Sequence, residues 1–153
     1  MKLKITLIAF ISICLNTYSQ NTIIKKVNYA NVEIEVPANY IANSEYEIEN
    51  ENFSAQWLYL SKEMFDQNVQ YQLIKQFEVQ TKAKEISEIS FISNGSIFKG
   101  KIYKIINSNL KYKVLASGMV NNQPLVLNLS FKNEPKSNTD LDQLMHNFIK
   151  FKD

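Results

Sequence analysis

The chain has 153 residues, with 17 basic and 15 acidic side chains, one cysteine and one histidine. Every one of the 17 basic residues is lysine, so the sequence lacks the guanidinium groups that bind phosphates and base edges in a bidentate manner. Without arginine or a strong net positive charge, there is little to attract a polyanion. The composition therefore argues against nucleic-acid binding.

Residues 1–19 have the features of a secretory signal peptide. Lys2 and Lys4 precede a mostly apolar run over residues 5–15, and small residues follow it. The run is shorter than the roughly 20 residues of a transmembrane helix, so no membrane span is expected. Cleavage near residue 19 would export the chain to the periplasm or the medium.

Cys14 raises the alternative of a lipoprotein. However, it follows the bulky Ile13 and lies inside the apolar run rather than after it, which argues against lipidation. Residues 20–153 then form one predicted domain without cysteine, whose stability depends on its core instead of disulfides. The remaining lysines equal the 15 acidic residues in number, because two lysines leave with the signal peptide.

The first part of the mature chain is predicted to be β-structure. Residues 23–28 and 32–36 form a strand pair around Tyr29-Ala30-Asn31, and Pro37 ends the second strand. Acidic residues then alternate with Tyr46 and Ile48, which is typical of a solvated edge strand, with a cation-binding stripe as the alternative. The acidic residues are Glu45, Glu47, Glu49 and Glu51.

Residues 53–60 are apolar on both faces, which predicts a central strand with Trp57 in the core. Ser61 is a good N-cap for a following helix. Residues 64–84 fit a helix by length and by their content of Gln, Lys and Glu. An alternating strand over part of the same stretch remains an alternative.

Residues 86–131 predict a four-stranded antiparallel meander. Asn94-Gly95 and Asn121-Asn122 are two-residue hairpin turns, and a three-residue loop at 107–109 is expected between them. Because a slip of one residue turns every side chain to the other face, these turns fix the register. The predicted pairs include Ile89 with Gly100, Phe91 with Phe98, Gly100 with Ala116, Ile102 with Val114, Ile106 with Leu110, Val114 with Leu129 and Gly118 with Leu125.

The same register puts Lys99, Lys101, Lys111 and Lys113, with Tyr103 beside them, on the face opposite the apolar one. We predict this lysine surface as the contact for an acidic protein partner, which the charges would steer to it. An ordinary solvated face is the alternative.

After a polar loop around Pro135, Thr139 is expected to cap a C-terminal helix with one apolar stripe. The stripe consists of Leu141, Leu144, Met145, Phe148 and Ile149. This helix would pack on the apolar face, where Gly100, Ala116 and Gly118 leave a shallow trough. A small-ligand groove in that trough is the alternative.

No set of residues points to catalysis. His146, the single histidine, is expected on the helix surface, and the mature chain has no cysteine and no glycine-rich phosphate loop. One histidine without cysteine does not supply a zinc site of the usual kind. We therefore expect no catalytic residues, no metal and no cofactor, and we predict that the protein is not an enzyme.

The order of elements resembles the PsbP/Mog1-like family. The resemblance rests on residues 32–37, the helix from Ser61, the Asn94-Gly95 turn, "YKVLASGMVNNQPLVLNLSF" at 112–131, and residues 141–151. It implies an α+β fold, in which one long helix and one C-terminal helix pack on an antiparallel sheet, and a non-catalytic accessory or protein-binding role. A Bet v 1-like or cystatin-like fold is the alternative, and it would come with a cavity for an apolar ligand or lipid.

Overall fold

The computed structural model describes residues 23–152. The predicted signal peptide and Cys14, for which no lipidation is expected, lie outside the described residues. The strands are β1 Lys26–Tyr29, β2 Val32–Glu35, β3 Ile41–Ser44, β4 Glu47–Glu49, β5 Phe53–Tyr59, β6 Glu85–Ser93, β7 Ser96–Lys104, β8 Tyr112–Val120 and β9 Gln123–Phe131. The helices are α1 Lys62–Asp66 and α2 Val69–Gln80, and two 3-10 turns cover Asn138–Asp140 and Met145–Asn147.

Seven strands form one antiparallel sheet in the order β3-β4-β5-β9-β8-β7-β6, and β1 with β2 forms a separate hairpin. The α+β class with an antiparallel sheet is thus confirmed. The face that carries Phe98, Ala116 and Leu127 is called the inner face below, and the face that carries Tyr103 and Leu115 is the outer face. Each face has its own apolar cluster.

The meander of β6 to β9 has the predicted register. Phe91 pairs with Phe98, Ile102 with Val114, and Gly118 with Leu125. The loop before β8 is longer than predicted, because regular pairing ends at Lys104 and Tyr112. The two strands keep the predicted register up to this loop, since the Ile105 N–H donates to the Lys111 carbonyl at 2.7 Å.

The N-terminal strand pair is also present, with a two-residue turn in place of the three-residue connection. Ala30 and Asn31 both have positive φ, as a tight hairpin turn requires. Tyr29 is fully buried, and its hydroxyl lies 2.7 Å from the Ser93 hydroxyl. The hairpin therefore covers part of the inner face.

The acidic strand was predicted at a sheet edge, and this is wrong. Glu47 and Glu49 lie on β4, which pairs with β3 on one side and β5 on the other. Ile48 between them is fully buried on the inner face. Glu47 and Glu49 lie on the outer face and are half-buried.

β5 is a central strand, as predicted, and Trp57 is buried in the inner cluster. The expectation that both faces of β5 are covered holds only in part. Leu58, on the outer face, is 53% exposed. The apolar pattern could not show how far a helix would extend over this strand.

The predicted long helix is divided in two. Ser61 caps α1 as expected and accepts a hydrogen bond from the Met64 N–H. Asn68 then has a left-handed backbone conformation, with φ of 61°, and α2 begins at the next residue. Asparagine tolerates this conformation better than most residues, which explains the position of the break.

The predicted C-terminal α-helix is wrong. The described residues after β9 contain two 3-10 turns, while the five stripe residues are buried on the inner face as expected. Asp140 accepts hydrogen bonds from the N–H groups of Lys136 and Ser137, and Asp142 accepts one from Met145 N–H. These local bonds favour separate turns over one helix. Lys150 then pairs with Ile92, which requires an extended chain.

Candidate functional site

An open groove lies on the outer face of the sheet, beside α2. Its apolar half has a volume of about 570 Å³ and is lined by Tyr46, Leu58, Leu73, Phe77, Leu115 and Val126, among others. Its polar half has a volume of about 540 Å³ and is lined by Glu47, Glu49, Gln56, Lys113, Asn128 and Ser130, among others. Glu47, Gln56 and Asn128 line both halves, so the two are continuous.

The strand registers build the floor of the groove. Gln56 pairs with Asn128, which pairs with Leu115, and Leu58 pairs with Val126. Directly paired residues point to the same face of a sheet, so these side chains form rows across β5, β9 and β8. The floor is therefore fixed by backbone ladders.

The wall is α2. Leu73 and Phe77 are four residues apart and lie on one side of the helix, towards the sheet. The Phe77 ring packs edge-on against Tyr103, with ring centroids 5.1 Å apart. Glu78 forms an ion pair with Lys101 of β7 at 2.6 Å. Packing and this pair hold the wall against the β7–β8 side of the sheet and leave β4 and β5 uncovered.

An amide pair lies where the two halves meet. The Asn128 side-chain N–H donates to the Gln56 side-chain oxygen at 2.8 Å, which orients both amides. The Asn128 Oδ1 atom is buried and has no hydrogen-bond partner within residues 23–152. An acceptor in this state has a strong tendency to take a donor from a ligand or from water.

The polar half carries opposite charges on its two sides. Glu49, Ser54, Ser130 and Lys113 form one row across four strands. At the usual strand spacing, this row spans about 14 Å. Burial lowers the pKa of Lys113, whose ammonium lies 5.6 Å from the centre of the Phe77 ring. A charge kept in a position that disfavours it is a frequent feature of binding sites.

The structure brings the predicted lysine surface to one face, but α2 covers part of it. Lys99 and Lys111 are exposed, while Lys101 and Lys113 are half-buried. Tyr103 is 0% exposed, and burial raises its pKa to about 12. Tyr103 is thus a contact for α2 in this structure. The role of the four lysines in partner binding stays a prediction.

Sequence reasoning missed the groove and its residues Leu58, Phe77 and Asn128. One signal was available, because Tyr103, Leu115 and Val126 share the lysine face and are too apolar for a solvated surface. This pattern indicates a covering helix on the outer face. The pattern does not show which strands this helix leaves exposed.

Two further depressions lie away from the groove. A depression between the β1–β2 hairpin and β5 is polar, but an ion pair of Lys26 with Glu33 and a bond from Ala30 N–H to the Tyr59 hydroxyl occupy its groups. His146 lies on the other side of the sheet, in a small depression of about 190 Å³ near Asn94 and Lys150. Its Nδ1 atom is buried without a partner among the described residues.

Within residues 23–152, no group of three or more His, Cys, Asp or Glu side chains is arranged to hold a metal ion. In the same range, no helix is both long and apolar enough to cross a membrane. Comparison with protein-family models, with curated proteins and with solved structures gives no match for this chain. The resemblance to the PsbP/Mog1-like family therefore stays a prediction.

Proposed function

We propose that the protein is an exported, non-catalytic accessory domain that binds an extended segment of a partner protein in the groove. The observation that carries this proposal is the exposure of Leu58. An apolar side chain in a central strand, half uncovered beside a helix that stops short of it, favours occupancy by another molecule.

The chemistry of the groove suits a peptide. Its apolar half accepts one or two apolar side chains against Leu58 and Phe77. Ser54 and Gln56 line the polar half, and their hydroxyl and amide groups can bond to a peptide backbone. Lys113 can pair with an acidic side chain of the partner, which is consistent with an acidic protein as the ligand. The export step rests on the predicted signal peptide.

A small apolar ligand or lipid is the second candidate, and the size of the apolar half favours it. Its volume, about 570 Å³, lies within the range of small-molecule sites. The groove is open along its length, however, and such sites usually enclose most of their ligand. We therefore rank the peptide first.

A photo-crosslinking amino acid at position 58 tests the proposal in cells that express the protein. We expect it to capture one partner protein from the envelope or the secreted fraction. Position 97 is the matched control, since Ile97 also lies on the outer face and is 51% exposed, but does not line the groove. Capture of the same proteins from both positions, or no capture from position 58, would contradict peptide binding.

Native mass spectrometry of the purified protein tests the second candidate. A bound small molecule that is lost in Leu58→Glu would support a ligand carrier. An unmodified mass, together with capture of a protein from position 58, would support the accessory domain.

A further inference from the structure

The depression between the β1–β2 hairpin and β5 has a chemistry different from that of the groove. Its volume is about 460 Å³, which lies within the range of small-molecule sites. Two tyrosines, Tyr46 and Tyr59, line it together with polar side chains of the hairpin. It is called the hairpin depression below.

The two tyrosine rings stand almost at right angles. The ring centroids of Tyr46 and Tyr59 are 6.1 Å apart, and the planes meet at 84°. Tyr46 also meets the ring of the buried Trp57 at 83°, with centroids 6.5 Å apart. The Tyr59 hydroxyl accepts a hydrogen bond from the Ala30 N–H at 2.8 Å. These contacts hold both rings in place and leave the depression beside them open.

A corner of two rings is suited to a cation. Tyr46 is 50% exposed, so a ligand can reach its ring. The centroids are close enough for one positive charge to lie within roughly 6 Å of both, the distance over which a ring face attracts a cation. The chain does not use this corner itself. Its two lysine–ring contacts within residues 23–152 are Lys104 over Tyr112 and Lys113 over Phe77.

The charges in the hairpin depression also favour a cation. Lys26 lines it, but the Lys26 ammonium lies 2.6 Å from the Glu33 carboxylate, so these two charges balance each other. Glu45 lines it as well and forms no ion pair within the part of the chain that the structure describes. One negative charge therefore remains unbalanced beside the two rings.

We propose that the hairpin depression binds a small quaternary ammonium compound, whose trimethylammonium group lies in the corner of Tyr46 and Tyr59 beside Glu45. Aromatic rings recognise such groups in many proteins. A primary ammonium is strongly hydrated, whereas a methylated one has no N–H to satisfy and presents apolar surface to the rings. The proposal is independent of peptide binding in the groove, although Tyr46 borders both features.

Choline tests the proposal, and dimethylbutanol, in which carbon replaces the charged nitrogen, is its neutral counterpart. Each compound is added at constant ionic strength to the protein expressed from the full sequence, and the amide chemical shifts are followed by NMR. We expect saturable shifts with choline, centred on residues 28–31, 45, 46 and 59. Dimethylbutanol should bind about tenfold more weakly, because it lacks the charge. Equal affinities for the two compounds, or no saturable shift with choline, would overturn the proposal.

Two variants locate the binding. Glu45→Gln should weaken choline binding by about threefold through loss of the exposed charge. Tyr46→Leu should weaken it by about fivefold through loss of a ring. Both positions are exposed, so the dispersion of the NMR spectrum should show a retained fold.

Matched control variants change exposed residues of the same types outside the hairpin depression. These are Glu51→Gln and Tyr71→Leu, and both should bind choline as the unmodified protein does. If Glu45→Gln or Tyr46→Leu binds choline as tightly as its control, the corner is not the site.

Sedimentation with phosphatidylcholine vesicles separates a free cation from a lipid headgroup of the same chemistry. The exposed positions of the hairpin are polar, namely Lys26, Asn28, Glu33 and Glu35, and they offer no apolar side chain to a bilayer. We therefore expect the protein to stay in the supernatant. Sedimentation with the vesicles that choline reverses would assign the corner to a headgroup and overturn a free ligand.

Discussion

The ring of Phe98 occupies the space that a side chain at Gly118 would need. A methyl group at position 118 would lie 2.6 Å from the Phe98 Cδ2 atom. The trough that the sequence predicts at Gly100, Ala116 and Gly118 is thus filled from within the sheet at Gly118. Phe98 itself stacks on Phe91, with ring centroids 5.8 Å apart. The glycine serves the packing of this aromatic pair instead of the approach of a helix.

Gly118→Ala should therefore destabilise the fold. Phe98 is fully buried and has little room to move, so we expect a loss of about 1–3 kcal/mol in the free energy of unfolding. Urea denaturation measures it. Ser117→Ala, on the same strand and the opposite face, is the control and should cost less, because it adds no atoms to a buried site. Equal effects of the two variants would show that Phe98 does not limit position 118.

Variants of Tyr103 test whether this residue has a structural role or a role in partner binding. Its side chain is buried, and its hydroxyl has no hydrogen-bond partner among the residues described here. Tyr103→Ala should cost about 3–5 kcal/mol through loss of the contact with Phe77. Tyr103→Phe should preserve or raise stability, because it removes an unpaired buried hydroxyl.

Thermal denaturation with pull-down of the captured partner checks this pair of variants. Partner binding by Tyr103→Phe should equal that of the unmodified protein. A stable Tyr103→Phe variant that no longer binds would instead assign the hydroxyl to the interface.

The half-buried Lys113 should make the free energy of unfolding depend on pH. Burial lowers its pKa in the folded state, so the charged form destabilises the fold. This cost is fully present below the lowered pKa and disappears as the pH rises through the usual lysine value. Lys113→Met should therefore raise the free energy of unfolding at neutral pH, by about 0.5–1 kcal/mol. The advantage over the unmodified protein should shrink in alkaline solution.

Denaturation of both proteins over a series of pH values measures this difference. Lys111→Met is the matched control, since Lys111 is exposed two residues earlier and the same change there should have a small effect at every pH. A constant difference between Lys113→Met and the unmodified protein across the series would exclude burial of the charge as its cause.

The register of the meander was predictable because local chemistry decides it. Gly95 and the asparagines Asn94, Asn121 and Asn122 adopt positive φ, and each two-residue turn fixes the pairing of the strands beside it. Period-two alternation then assigns every side chain to a face. The N-cap at Ser61 and the burial of Trp57 follow from equally local signals.

The failures arise where the apolar pattern alone does not show which hydrogen bonds and packing contacts form. The pattern of Leu141, Leu144 and Phe148 fits a helix, yet the carboxylates of Asp140 and Asp142 accept hydrogen bonds from nearby backbone N–H groups, which favours turns. The pairing of Lys150 with Ile92 favours an extended end. Similarly, Tyr103 appeared to be a surface residue because nothing local shows that α2 returns across the lysine face.

The sequence by itself determined the α+β class, the order of β6 to β9 and the side-chain parity of the meander, since these depend on turns and on a two-residue period. Tertiary structure alone decided that β4 is internal, that α2 covers only part of the outer face, and that Leu58 and Asn128 meet in one groove. These outcomes depend on where a helix of fixed length ends on a sheet of given width. No single stretch of the chain encodes that position.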